Sequence, residues 1–103
     1  MIEMIFGVDQ DGICHGFRVE GHAGYAPKGN DIVCAAVSAL TQGAAHSLQT
    51  LTDSGVEVEQ SDGCLVCRIR SPGIVSQAIL ACLKLSLEEL ETQYSNYINV
   101  CHG

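Results

Sequence analysis

The sequence predicts an α/β chain of the α+β kind: one two-layer domain ordered ββαββα, with a mainly antiparallel sheet and two helices on one face. Three observations carry this. Apolar residues alternate with period two in two pairs of segments, 2–8 with 13–19 and 56–60 with 64–70. Each pair is joined by a short cluster of turn-forming residues and followed by a segment whose apolar residues recur every three or four positions. The 103 residues suffice for one core and leave little for a second, so residues 1–103 form a single domain.

In the first pair, Ile2, Met4, Phe6 and Val8 alternate with Glu3, Ile5 and Gly7. The alternation resumes with Ile13, His15, Phe17 and Val19 against Cys14, Gly16, Arg18 and Glu20. Residues 9–12, Asp-Gln-Asp-Gly, close the hairpin, because Asp bonds its own backbone and Gly accepts positive φ. From Asp31 the period lengthens: Val33, Val37, Leu40, Ala44, Leu48 and Leu51 mark one face of a helix that stops near Ser54 and Gly55. Asn30 or Asp31 can cap it by accepting from the free N–H groups of the first turn.

The second hairpin runs through residues 56–60, a Ser61-Asp62-Gly63 turn and residues 64–70. Ser71 and Pro72 open the second helix, with proline at the first helical position, where its missing N–H costs nothing. Its stripe is Val75, Ile79, Cys82, Leu83, Leu87, Leu90 and Tyr94, extending to Ile98. Such a helix would be about 40 Å long, more than one small domain can cover. Its excess length and a second apolar stripe, Ile74, Ala78, Ala81 and Leu85, suggest a self-association surface.

Composition narrows the function. Twelve acidic and five basic side chains give a formal charge of −7, which repels phosphate backbones and argues against direct nucleic acid binding. No apolar run reaches the ~18 to 20 residues of a membrane span. The N-terminal residues lack a basic region and a small-residue cleavage site, so an export signal is not expected and the cytoplasm is. There the six cysteines stay reduced and serve mostly as small buried hydrophobes.

One thiol stands apart. Residues 21–37, GHAGYAPKGNDIVCAAV, place a glycine-rich loop immediately before a helix and Cys34 in its first turn, at the border of the buried stripe. Free N–H groups and the helix dipole favour an anion there, so the position suits a thiolate. An attacking thiolate needs a proton carrier, and His22, twelve residues earlier at the end of the second strand, fits that need near neutral pH. Gly21, Gly24 and Gly29 give the loop the freedom to fold back, as a lid would. First-turn N–H groups could also hold an oxyanion. Asp31 can cap the helix or orient a protonated His22, while its charge opposes a neighbouring thiolate. The bland alternatives are a packed cysteine and a solvated histidine.

Gly21-His22-Ala23-Gly24, followed by Gly29-x-Asp31-Ile32-Val33-Cys34-Ala35-Ala36-Val37-Ser38, closely resembles the signature of the bacterial ribosomal-processing cysteine proteases. The resemblance covers the whole chain in length and element order. It implies a small cytoplasmic enzyme that removes an N-terminal extension from a large-subunit ribosomal protein precursor, cutting within a short aromatic-containing motif. It further implies Cys34 as nucleophile, His22 as general acid/base, Asp31 and Ser38 in supporting roles, a homodimer, and no metal or organic cofactor. The competing reading is a non-catalytic ribosome-assembly factor whose loop binds a basic peptide.

Other motifs are weaker. Gly24 to Gly29 has the outline of a phosphate loop, but Asn30 and Asp31 stand where Lys and Ser/Thr are needed. Cys64 and Cys67 are an odd number apart on a strand, which puts one thiol in the core and one outside rather than together on a metal. Cys101 and His102 fall at a chain end expected to fray. His15 and His46 have no evident partner in the sequence.

Overall fold

A computed structural model describes residues 1–27 and 29–102, His102 by its backbone alone. The elements are β1 (Ile2–Val8), β2 (Cys14–Glu20), α1 (Ile32–Leu51), β3 (Val56–Ser61), β4 (Cys64–Ile69), α2 (Ile74–Gln93) and β5 (Ile98–His102). They form a single five-stranded sheet in the order β3-β4-β2-β1-β5. Three of its four pairings are antiparallel; β5 alone runs parallel to its neighbour, β1.

The chain end is where the observed fold departs from the expected one. α2 stops at Gln93 instead of running to Tyr94 and Ile98, and its cap residue Tyr94 donates its N–H to the Leu90 carbonyl. A turn through Tyr97 follows, and Ile98 and Val100 then face the core opposite Ile2 and Met4. The Val100 N–H donates to Glu91 Oε2 at 2.7 Å, tying the new strand to the helix before it. The order is therefore ββαββαβ, and the end that was expected to fray is a paired strand. Twenty residues make α2 about 30 Å long, so helix length no longer argues for self-association. α2 also begins later than Pro72, at Ile74, with the Ser76 hydroxyl closing its first turn onto both backbone groups of Gly73.

Both helices pack on one face. Met4, Phe6, Phe17, Leu65 and Cys67 point from the sheet toward Val33, Val37 and Leu48 of α1 and Leu80, Leu83 and Leu87 of α2. Leu48 and Leu87 are fully buried, each contributing about 1.5 to 3 kcal/mol of transfer free energy.

The alternation in β2 breaks once. Phe6 pairs with Phe17 but Val8 with Cys14, so β2 carries one extra residue in a bulge. Gly16 sits there with φ +145°, and a Cβ would stand 2.0 Å from the Cys67 carbonyl oxygen. The bulge turns His15 outward, away from the face shared by Phe17 and Val19, and Cys14 becomes half-buried. Gln77 of α2 then holds Cys14 by both its N–H and its C=O, at 2.9 and 2.7 Å. His15 does have a partner: its Nε2 lies 2.9 Å from Asp9 Oδ2 at the hairpin turn.

Candidate active site

The site is assembled where β2 ends, α1 begins and the β3–β4 turn crosses behind them. Gly21, with φ +96°, donates its N–H to the Gly63 carbonyl at 2.9 Å; a Cβ on it would meet the Met1 carbonyl oxygen at 2.4 Å. Only glycine fits that passage. His22 comes next, exposed, with its ring against Gly63. Ala23 is buried, and its N–H donates to Cys34 Sγ at 3.3 Å.

The loop is then fastened twice. The Tyr25 ring meets Tyr94 and Tyr97 edge-on, with centroids 5.8 and 5.2 Å away. The Tyr25 and Ala26 N–H groups donate to Asp31 Oδ2 at 3.0 and 3.4 Å. The other oxygen of Asp31 caps α1, accepting from Val33 N–H at 3.0 Å and Cys34 N–H at 2.9 Å. One carboxylate thus joins loop to helix. These bonds hold its pKa below the ordinary aspartate value, the Cys34 N–H contributing most and outweighing an opposing burial effect. Of the two caps open to the sequence, Asp31 is the one used, and both its oxygens are engaged by backbone rather than by His22.

Cys34 is half-buried, three residues into α1. It shares with His22 an open cleft of about 180 Å³, bounded by Val37, Ser38, Thr41 and Gln42 on the helix side and by Glu20, Gln60, Ser61 and Gly63 on the sheet side. The structure therefore brings the two residues to one cavity, although no hydrogen bond joins imidazole and thiol among the described residues. Ser38 lies one turn beyond Cys34, its Oγ accepting from Gln42 Nε2 at 2.9 Å. Gly24 and Gly29 have φ +70° and +95° with open space beside them, so their role is to shape the loop.

One expectation changes. The first-turn N–H groups do not face the thiol as free donors: those of Val33 and Cys34 go to Asp31 Oδ1, and that of Ala35 to the Asp31 carbonyl. The donor aimed at sulfur is Ala23 N–H, which residue spacing gave no means of finding. Gly63 and the three tyrosines also escaped the sequence reading, since nothing local tells that a turn 41 positions after His22 lies under its ring. The CxxC pair divides as spacing predicts: Cys67 is buried, its thiol pushed up to about 11 chiefly by burial, while Cys64 lies at the rim of the cleft.

A thiol and an imidazole lining one cleft, with a polar hydrogen aimed at the sulfur, are the parts of which thiol hydrolases are built. The family model for cysteine protease Prp matches residues 1–99, and the chain belongs to that family. It is similar to the ribosomal processing cysteine protease Prp of Staphylococcus aureus strains Mu50 and NCTC 8325, 29% identical over 103 residues and 97% of each chain. The crystal structure of an essential S. aureus Prp with a covalently linked product peptide superposes with TM-score 0.93 over all of both chains at 27% identity. Prp with a substrate peptide gives 0.84 at 25%, again over all of both chains. A Streptococcus mutans protein gives 0.80 at 26%, covering 99% of this chain and 96% of its own. The protein is a cysteine protease.

Proposed function

We propose that this protein is the endopeptidase that removes the N-terminal extension of a large-subunit ribosomal protein precursor, with Cys34 as nucleophile and His22 as general acid/base. The observation that carries the reading is the shared cleft of Cys34 and His22, in a chain that superposes over its full length on a relative crystallised with a covalently linked product peptide. On substrate binding the imidazole turns from Gly63 to the thiol and takes its proton. The sulfur lone pair forms a C–S bond to the scissile carbonyl, and the π pair moves onto oxygen. Collapse breaks the C–N bond, and the amine leaves with the proton from His22. Water then gives a proton to His22 and a hydroxide to the thioester, releasing the carboxylic acid and returning the thiol and imidazole to their starting states.

The formal net charge of −7 favours a basic ribosomal protein as substrate and disfavours direct contact with ribosomal RNA. No helix among the described residues is long and apolar enough to cross a membrane, and the reading places the work in the cytoplasm. For the homodimer the support is now the stripe on α2, where Ile74 is 91% and Leu85 69% exposed, with Ala78 and Ala81 also exposed. Replacing Leu85→Glu is expected to convert a dimeric sedimentation coefficient to a monomeric one. The function itself is tested by incubating the precursor with wild-type, Cys34→Ala and His22→Gln chains. Only the wild type is expected to trim it; trimming by Cys34→Ala would contradict the reading. Failure of the wild type to trim any such precursor would favour a peptide-binding assembly factor.

A further inference from the structure

We propose that the backbone N–H of Ala23 is the donor that stabilises the oxyanion of this protease, an inference that rests on Cys34 being the nucleophile. Negative charge begins on sulfur and moves to the carbonyl oxygen as the C–S bond forms, so a useful donor must stand beside both atoms. Ala23 N–H points at Sγ from 3.3 Å. Three donors at the helix start are already engaged: Val33 and Cys34 donate to Asp31 Oδ1 and Ala35 to the Asp31 carbonyl. As sulfur gives up its charge, the Ala23 hydrogen is released from it and bonds the adjacent oxygen. When the C–N bond breaks, the pair returns to C=O and the N–H is free again.

The amide is also held rather than merely near. Ala23 is buried, the peptide following Gly24 is tied through Tyr25 N–H to Asp31, and the Tyr25 ring is seated on Tyr94 and Tyr97. A donor fixed before reaction avoids the reorganisation that a mobile one would need. The arrangement also accounts for Asp31: by taking the Val33 and Cys34 N–H groups and gripping residues 25 and 26, it leaves the stabilising role to the loop.

The test removes that one hydrogen. A 1–33 thioester carrying L-lactic acid in place of Ala23 is ligated to a 34–103 segment at the natural Cys34, giving the full chain with an ester for an amide. Against the unmodified ligated chain, kcat for precursor cleavage is expected to fall on the order of a hundredfold with KM little changed. Glycolic acid in place of Gly12, in the turn between β1 and β2 and away from the cleft, is expected to leave kcat nearly intact. Should the Ala23 ester cleave within roughly threefold of the unmodified chain, the assignment is wrong. A second measurement does not depend on the ester folding: in wild-type protein labelled with [15N]alanine, a peptide aldehyde forms a hemithioacetal on Cys34. The Ala23 amide proton is expected to move downfield as it bonds the new oxygen, and an unmoved resonance overturns the proposal. Cys34→Ala keeps the two claims apart, since its continued cleavage defeats the nucleophile, whereas its inactivity beside an active ester defeats Ala23 alone.

Discussion

The imidazole of His22 lies directly over Gly63, so closely that a Cβ on the glycine would stand 2.9 Å from Nε2. Gly63 also has φ +73°, and its carbonyl accepts the Gly21 N–H. Replacing Gly63→Ala therefore adds backbone strain of about 1 to 2 kcal/mol and pushes the ring aside. Cleavage is expected to fall by up to about a hundredfold, the scale of a misplacement near 1 Å. Steady-state kinetics beside a thermal melt separates the two effects.

Asp31 predicts an acid-side dependence of stability. Its folded-state pKa lies below the ordinary value, first because of the Cys34 N–H bond, so in that window the unfolded chain binds more protons than the folded one. Its contribution is complete above the unfolded value of about 3.9 and is lost as pH falls through the lower folded value. Melts of Asp31→Asn, which keeps one acceptor oxygen, are expected to start lower at neutral pH and to lose less on acidification than wild type. Parallel curves would remove the cap and clasp from the account.

Tyr25 is expected to act through the loop it carries. Each edge-on aromatic pair contributes about 0.5 to 1.5 kcal/mol, so Tyr25→Ala frees residues 23–26 and lowers kcat roughly tenfold. Losing both pairs should also lower the melting temperature by several degrees, since about 1 kcal/mol moves it by roughly 4 to 8 °C in a domain of this size. Tyr25→Phe keeps the ring and restores kcat. A rise in KM alone would instead mean direct contact with substrate.

The buried thiols predict a reactivity pattern. Burial holds Cys67 near 11 and raises Cys14 as well, whereas Cys82 is exposed. Brief treatment of the native protein with iodoacetamide near pH 8, followed by peptide mass spectrometry, should modify Cys82 and spare Cys67. The sign also implies an alkaline limit: the neutral thiol of Cys67 favours the folded state up to the unfolded value of about 8.5, and that contribution is lost as pH rises toward 11. Rapid labelling of Cys67 would contradict its burial in the core.

Much of this was readable where the signal is local. Period-two runs located both hairpins, and the three-and-four spacing from Val33 to Leu48 located α1 with Asp31 as an available cap. β5 was missed because no Gly or Pro stands between Gln93 and Ile98 to mark the stop, although Ile98-Asn99-Val100 does alternate. The bulge at Gly16 defeated strict alternation and hid the contact between His15 and Asp9. Within the site, His22 and Cys34 could be named because the chemistry proposed for them is carried by side chains. Ala23, the proposed donor, could not, since what it offers is a backbone hydrogen whose direction depends on Tyr25, Tyr94, Tyr97 and Asp31 together. Contacts of that kind belong to tertiary structure.

The most direct test of the account is to quench the enzyme during a single turnover of precursor peptide and map the covalent adduct by mass spectrometry. The account predicts the acyl group of the released N-terminal extension on Cys34, absent from Cys34→Ala and from a chain mixed with the trimmed product alone. An acyl adduct on Cys64 or another thiol, or turnover with Cys34 unmodified throughout, would contradict it.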